Sequence, residues 1–170
     1  MLQCENIILR KLQDSDLPVL AQLANNKKIW LNVRDLLPYP YTIDDAKFFM
    51  NLIKDENPQV SFAIEFDKKF CGMIGLIPQT DIYRLTAEIG YWLGEPFWNK
   101  SIITKAVAMI TDYGFDKLGL IRIHTGIFEY NIASMKVLEK NGYKKDCVFE
   151  KSIIKDGKII NEHRYSKVKI

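Results

Sequence analysis

One segment constrains the fold more than any other part of the chain: AEIGYWLGEPFWNKSIITKAVAMITDYGF, from Ala87 to Phe115. Residues 85–93 alternate between two faces as a strand does, the Gly-Glu-Pro triplet at 94–96 predicts a turn, and residues 100–118 have the apolar spacing of an amphipathic helix. Residues 121–127 have the pattern of a further strand. A strand, a helix and a strand in this order predict a right-handed crossover between two parallel strands.

The remaining patterns add strands and helices on both sides of this crossover. Strands are predicted at 7–10, 60–66, 70–77, 143–154 and 158–169, and helices after Asp14-Ser15-Asp16, after Thr42 and at 131–141. The predicted order is β-α-α-β-β-β-α-β-α-β-β, an α/β fold with a mixed α+β sheet in a single domain over residues 1–170. Ligands in such sheets bind where neighbouring strands diverge, so we expect the sheet to splay between its fourth and fifth strands.

Composition and charge exclude several classes of protein. Apolar residues make up 48% of the chain and charged residues 26%, as in globular proteins, and the net charge of +3 fits a small anionic ligand. Basic and acidic residues are interspersed, so we expect no nucleic-acid partner. No apolar run approaches the roughly 20 residues of a membrane span, and no leader-like segment begins the chain. The three separated cysteines indicate neither disulfides nor zinc, and free thiols are typical of a cytoplasmic protein.

The start of the central helix is unusually positive. Asn99, Lys100 and Ser101 stand there, and no acidic residue follows through Lys105. The first turn of a helix leaves several N–H groups unpaired and carries about half a positive charge. Such a helix start is suited to an anion such as a pyrophosphate. The alternative is that Asn99 or Ser101 is an ordinary N-cap.

Three polar residues on predicted elements are candidates for chemistry. Glu88 lies in a central strand, where it is either a base that takes a proton from an ammonium group or the partner of Arg84 or Arg122 in a structural ion pair. Asn131 and Ser134 point the same way from the last helix. One interpretation is that both contact a polar ligand. The alternative is that Asn131 caps the helix and Ser134 bonds back to a carbonyl one turn earlier.

Other polar groups allow two interpretations each. The loop before residue 42 carries Arg34, Tyr39 and Tyr41, which either form one wall of a pocket or pack against the body of the protein. Lys136 belongs to a basic cluster around the last helix, which is either a solvated face or a contact for an anion. His124 and His163 have no nucleophile signature near them and are expected to be structural.

Two of these segments resemble the GNAT acetyltransferases, and within them the branch similar to ribosomal-protein N-terminal acetyltransferases. The more specific is NIASMKVLEKNGY, and the other contains IGYWL. The resemblance implies acetyl-CoA as co-substrate, direct attack of an amine on the thioester, and no metal. It implies that the helix-start amides hold the pyrophosphate, that the pantetheine arm follows the strand, and that Glu88 is the base. Cofactor-binding residues are therefore expected at Tyr91, Trp92, Leu93, Asn99, Lys100, Ser101, Ile102, Ile103, Thr104, Asn131, Ser134 and Lys136.

The chain departs from the family pattern at the helix start. Trp98, Ser101 and Ile103 stand where relatives usually have Gln or Arg, Gly, and Gly or Ala, and Asn99 also replaces a frequent glycine. Leu138 stands where many relatives have a general-acid tyrosine, which leaves solvent or Ser134 to protonate the thiolate.

Two functions remain open at this stage. The first is an N-acetyltransferase, monomeric or dimeric, with Glu88, Asn131 and Ser134 at its centre and Arg34, Tyr39 and Tyr41 bounding an acceptor amine on a protein N-terminus or a small molecule. The second is a degenerate GNAT domain that binds CoA esters without catalysis.

Overall fold

The computed structural model describes all residues, Met1–Ile170, as one sheet with helices on both faces. The strands are β1 (Leu2–Cys4), β2 (Ile7–Arg10), β3 (Ser61–Phe66), β4 (Lys69–Pro78), β5 (Thr86–Leu93), β6 (Arg122–Phe128), β7 (Lys144–Lys155) and β8 (Lys158–Val168). The helices are α1 (Leu17–Ala24), α2 (Lys27–Trp30), α3 (Ile43–Ile53), α4 (Ile102–Asp116) and α5 (Ile132–Lys140). The strand order is β1-β2-β3-β4-β5-β6-β8-β7, and only β5 and β6 are parallel neighbours.

The order of elements confirms the mixed α/β fold and adds two short elements. β1 has three residues and α2 has four, which is too short for either to show a period in the sequence. The expected cap at Asp14-Ser15-Asp16 is a single 3₁₀ turn instead. The Asp16 carboxylate accepts hydrogen bonds from both terminal nitrogens of Arg10, at 2.7 and 2.9 Å, and therefore ties this turn to β2.

Apolar residues form one core on each face of the sheet. The larger core contains 22 buried residues, among them Ala87 and Ile89 of β5 and Ile110 of α4. The smaller contains nine, contributed mainly by α1, α3 and the opposite sides of β3 and β4, with Trp92 of β5 packed against it. The predicted alternation along β5 is thus confirmed, because Ala87 and Ile89 lie under α4 while Trp92 lies on the other face.

The sheet opens between β5 and β6, as the sequence predicted. The two strands are in register at only three positions, Thr86 with Arg122, Ala87 with Ile123 and Glu88 with His124. β5 continues to Leu93, and it remains paired with β4 along that whole length. Leu85 accepts from Ile121 on the β6 side, whereas Gly94 donates to Cys71 on the β4 side. Backbone polar groups alternate along a strand, so those of Tyr91 face the opening without a neighbouring strand.

Two glycines on neighbouring strands differ in what a side chain would meet. A Cβ on Gly72 would lie 2.3 Å from the backbone oxygen of Trp92, whereas a Cβ on Gly90 would have no heavy atom within 4 Å. We expect Gly72→Ala to lower the free energy of unfolding by about 1–3 kcal/mol, because the backbone of β5 has to move. Gly90→Ala should change it by less than about 0.5 kcal/mol. Chemical denaturation measures both, and equal losses would contradict the assigned packing of β4 on β5.

Candidate active site

The start of α4 presents a row of unpaired backbone donors. The first amide of this region that donates within the protein belongs to Lys105, to the Ser101 carbonyl at 3.2 Å, and the six N–H groups of residues 99–104 donate none. Asn99 and Ser101 have left-handed backbone conformations, with φ of 61° and 58°. Ser101 occupies the N-cap position of α4, but its side chain makes no capping hydrogen bond, so it is not an ordinary N-cap. Successive amides in such a turn, combined with the helix dipole, form a concave site for an anion.

The apolar side chains of this segment do not cover those amides. Ile102 is buried in the larger core, and Ile103 and Trp98 pack against it. The Trp98 indole donates to the Leu93 carbonyl at 2.7 Å, which satisfies the last backbone acceptor of β5. The segment is therefore anchored on both sides of the donor row, by Trp98 before it and by Ile102 within it. We call residues 99–104 the amide cradle.

The two lysines beside the amide cradle have different surroundings. Lys100 lies over the ring of Phe97, 5.7 Å from its centre. Lys105 forms an ion pair with Glu5 at 2.5 Å, and the hydrogen bond to this carboxylate raises the pKa of Lys105. No sequence pattern indicated an acidic partner here, because Glu5 comes from the distant turn between β1 and β2. One cation at the helix start is therefore neutralised, and Lys100 has no carboxylate partner.

A pair of hydroxyl groups joins β5 to α5 on the side of the larger core. The Tyr91 hydroxyl and Ser134 Oγ are 2.7 Å apart, and Ser134 makes no bond back along its helix, so that interpretation is wrong. Burial of the Tyr91 hydroxyl raises its pKa, against a smaller lowering by the Ser134 bond. Tyr91 is therefore protonated at neutral pH. Asn131 does cap α5, because its Oδ1 accepts from the Ser134 amide at 3.1 Å.

The opposite side of β5 carries an ion pair between Glu88 and Arg34. Glu88 is the more buried partner, with 15% of its side chain exposed against 55% for Arg34. The expected partners were wrong: Arg84 donates to the Asp81 carbonyl, and Arg122 pairs with Asp146 at 2.6 Å. Arg34 comes from the loop between α2 and α3, so this loop reaches over the strand. A candidate base and a candidate substrate-binding residue are thus in direct contact.

Glu162 is a second carboxylate on the same face that the sequence interpretation missed. A Cβ on Gly126 would lie 1.9 Å from Glu162 Oε1, so this carboxylate lies directly over Gly126. Arg164 donates to Glu162 at 3.1 Å and lies 3.4 Å from His124 Nδ1. Burial, and secondarily the Arg164 cation, lower the pKa of His124, which is therefore neutral near pH 7. A glycine within a strand often marks such a close approach, and this was the available signal.

The face that carries Glu88, His124, Gly126, Glu162 and Arg164 is the side of the sheet away from α4 and α5. Glu88 is in register with His124, and Arg164 with Gly126, so their side chains project to one side. We call it the acceptor face. Gly90 lies on this face of β5 with free space around it, two residues beyond Glu88. The opening in the sheet is thus bounded by hydroxyls on one side and by ion pairs on the other.

The other residues predicted from the sequence lie around this opening or in the core. Tyr41 is only 7% exposed in the smaller core, where burial raises its pKa to about 12, and packing explains its position. Tyr39 is half-exposed and its ring lies 5.8 Å from that of Trp30. Lys136 is exposed on α5. The C-terminal end of this helix adjoins the amide cradle, because Asn141 donates to the Thr104 carbonyl at 3.1 Å.

Two further observations concern metals and membranes. No three His, Cys, Asp or Glu side chains come together as a set of metal ligands. None of the helices has the length and apolar character needed to cross a bilayer.

Asn131 has one side-chain atom in use and one free, which allows its two roles to be separated. Asn131→Ala removes the cap and should cost about 1 kcal/mol of stability. Asn131→Asp keeps an oxygen for the Ser134 amide but loses the Nδ2 donor. If Nδ2 contacts the ligand, Asn131→Asp keeps the wild-type melting temperature and loses most of its turnover. Full turnover in Asn131→Asp would restrict Asn131 to the capping role.

Comparison with known proteins identifies a family. Residues 6–144 match the family model described as the acetyltransferase (GNAT) domain. The probable N-acetyltransferase YjcK of Bacillus subtilis is 35% identical over 102 residues, which cover 60% of this chain and 56% of that protein. The RimL ribosomal L7/L12 alpha-N-protein acetyltransferase, solved with CoA, superposes with a TM-score of 0.85 at 18% identity, over 97% of this chain and 95% of that one. The spermidine N-acetyltransferase of Vibrio cholerae, solved with CoA and spermine, gives 0.82 at 22% identity, over 97% and 96%.

Proposed function

Because the chain belongs to the GNAT acetyltransferase family, we propose that it is an acetyl-CoA-dependent N-acetyltransferase acting on a primary amine of a protein N-terminus or a small molecule. The observation that carries this proposal is the amide cradle, six unpaired N–H groups at a helix start beside the opening between β5 and β6. The two similar structures named above contain CoA, which supports the same ligand here.

The residues present fit the two ends of the coenzyme. The amide cradle supplies donors and positive potential for a pyrophosphate, and Lys100 within it adds a cation. We infer that the exposed Lys136 of α5 contacts the same anion. The Tyr91 amide and carbonyl face the opening, where an extended chain with amide groups can pair with them as an added strand does. Leu93 offers only its N–H, because Trp98 occupies its carbonyl.

The thioester supplies the electrophilic carbon, and the protein positions the groups around it. Glu88 takes the proton of the attacking ammonium, directly or through water, after Arg34 has moved aside. Asn131 Nδ2 and Ser134 Oγ contact the thioester from α5. As the nitrogen–carbon bond forms and the carbon–sulfur bond breaks, the nitrogen would lose its second proton to solvent, while the sulfur would take a proton from Ser134, which would recover one from solvent through Tyr91. Electron density thus moves from the amine nitrogen, beside Glu88, to the sulfur, beside Tyr91 and Ser134.

The second function, CoA-ester binding without catalysis, rests on the replaced glycines. Asn99 and Ser101 hold left-handed conformations that favour glycine, each at a cost of about 1 kcal/mol, which Asn bears more easily than most residues. The cradle keeps its shape despite these side chains. Binding without thiol release across a panel of amines would favour this second function.

Ser101 is the position at which stability and binding should change in opposite directions. The negative charge of an aspartate at this position interacts favourably with the helix dipole, so Ser101→Asp should raise the free energy of unfolding by about 0.5–1 kcal/mol. The same charge repels a pyrophosphate, and acetyl-CoA affinity should fall at least tenfold in calorimetric titration. Ser101→Asn is the uncharged control and should bind within about threefold of wild type. Equal affinity of the two variants would remove the cradle from the site, and a wild-type protein that binds no acetyl-CoA at millimolar concentration would overturn the proposal.

Glu88 is tested against a second glutamate that also pairs with an arginine on this sheet. We expect Glu88→Gln to lower kcat about 100-fold and to alter the pH profile of the rate, because the group that accepts the proton is lost. Glu65→Gln removes one of the two carboxylates that pair with Arg10, the one 2.6 Å from its Nε, and should leave kcat unchanged. A wild-type pH profile in Glu88→Gln would assign this residue to structure.

A further inference from the structure

The charges on and around the acceptor face cancel in pairs. Each of four carboxylates has one cation: Glu88 has Arg34, Glu162 has Arg164, Asp146 has Arg122, and Asp35 has Lys155. A substrate with several ammonium groups would find each of these four carboxylates already paired with a cation. It would have to displace one protein cation for each contact that it makes, so each new ion pair would replace an existing one without a net gain.

Arg34 is the cation that a substrate can displace most easily. Its guanidinium forms a hydrogen bond and ion pair with Glu88 and with no other side chain, and it is the most exposed of the four cations. Arg164 is held additionally by the Phe149 ring, and the Lys155 ammonium lies 3.8 Å from the centre of the Trp30 ring. Glu88, by contrast, is mostly buried and needs a partner in every state, because an unpaired buried charge is costly.

An ammonium group that reaches Glu88 takes the place of the Arg34 guanidinium. The released guanidinium then stands at the rim of the site without a partner. An anionic group on the same substrate, close to the amine, would pair with it, and every charge would again be matched. Arginine suits this role because its planar fork binds a carboxylate through two hydrogen bonds.

We infer that the acceptor is an amine carrying an anionic group near its amino group, as in an α-amino acid or a peptide N-terminus followed by an acidic residue, and that Arg34 selects it. This inference rests on the proposed transferase function and narrows its substrate class. It separates this chain from a polyamine acetyltransferase, although the fold is shared with one.

The test uses two amidated tripeptides, Ser-Asp-Ala and Ser-Asn-Ala, which differ by one carboxylate, together with spermidine. Initial rates of thiol release give kcat/KM for each acceptor, and calorimetry gives its affinity for the CoA-bound protein. We expect wild type to prefer the aspartyl peptide by about tenfold, mainly through KM. In Arg34→Ala the ratio of kcat/KM for the aspartyl peptide to that for the asparaginyl peptide should fall to about one, and Arg34→Lys should restore part of this preference.

Arg84→Ala is the matched control, since Arg84 is an exposed arginine whose side chain donates only to the Asp81 carbonyl. It should keep the wild-type preference. Spermidine as the better acceptor of wild type, or an unchanged preference in Arg34→Ala, would overturn the inference. Transfer to all acceptors without preference would leave the transferase function standing and remove only the selection by Arg34. An Arg34-dependent preference in binding with no thiol release would support the selection by Arg34 and overturn the transferase function.

Discussion

The site depends on the point at which β5 and β6 stop pairing. Three residues of each strand are in register, and beyond Glu88 and His124 the two strands separate. β5 continues to Leu93, paired only with β4. Had pairing continued, the backbone groups of Tyr91 would be satisfied within the sheet. Their separation leaves a main-chain donor and acceptor exposed inside the fold, and such groups require a partner. The same separation brings the starts of α4 and α5 to the two sides of the opening.

β5 divides this opening into two environments by its alternation alone. Tyr91 projects toward α5 and bonds Ser134, whereas Glu88 projects to the other side and pairs with Arg34. A group held at the hydroxyl pair and a group held at the carboxylate are therefore on opposite sides of one strand, with Gly90 between them. Because residue 90 is glycine, no side chain projects from the acceptor face of β5 between Glu88 and Trp92. The geometry favours transfer between two ligands over binding of one.

Sequence patterns predicted what is local and missed what depends on register. The crossover and the faces of β5 follow from the period of apolar residues, which is a property of neighbouring positions, and the splay was expected from where ligands bind in mixed sheets. The predicted partner of Glu88 was wrong because the actual partner, Arg34, lies 54 residues away on a loop, and no periodicity relates a loop side chain to a strand. Glu162 was missed for the same reason, since only the alignment of β8 with β6 places it over Gly126. Ser134 was predicted to face a ligand or its own helix, and the actual partner, Tyr91, belongs to another element.

The amide cradle shows how a functional segment can keep its shape without the residues that make that shape easy. A sequence selected only for stability would have glycine at 99 and 101, where φ is positive, and an acid within the first turn of α4. This chain has neither, so two strained residues and six unpaired donors remain. The anchors at Trp98 and Ile102 hold the segment against that cost. An anion that satisfies the donors binds only the folded chain, so its binding free energy adds to stability by mass action. We therefore expect the ligand-bound protein to have a higher free energy of unfolding than the free protein, because the ligand satisfies the unpaired donors of the amide cradle.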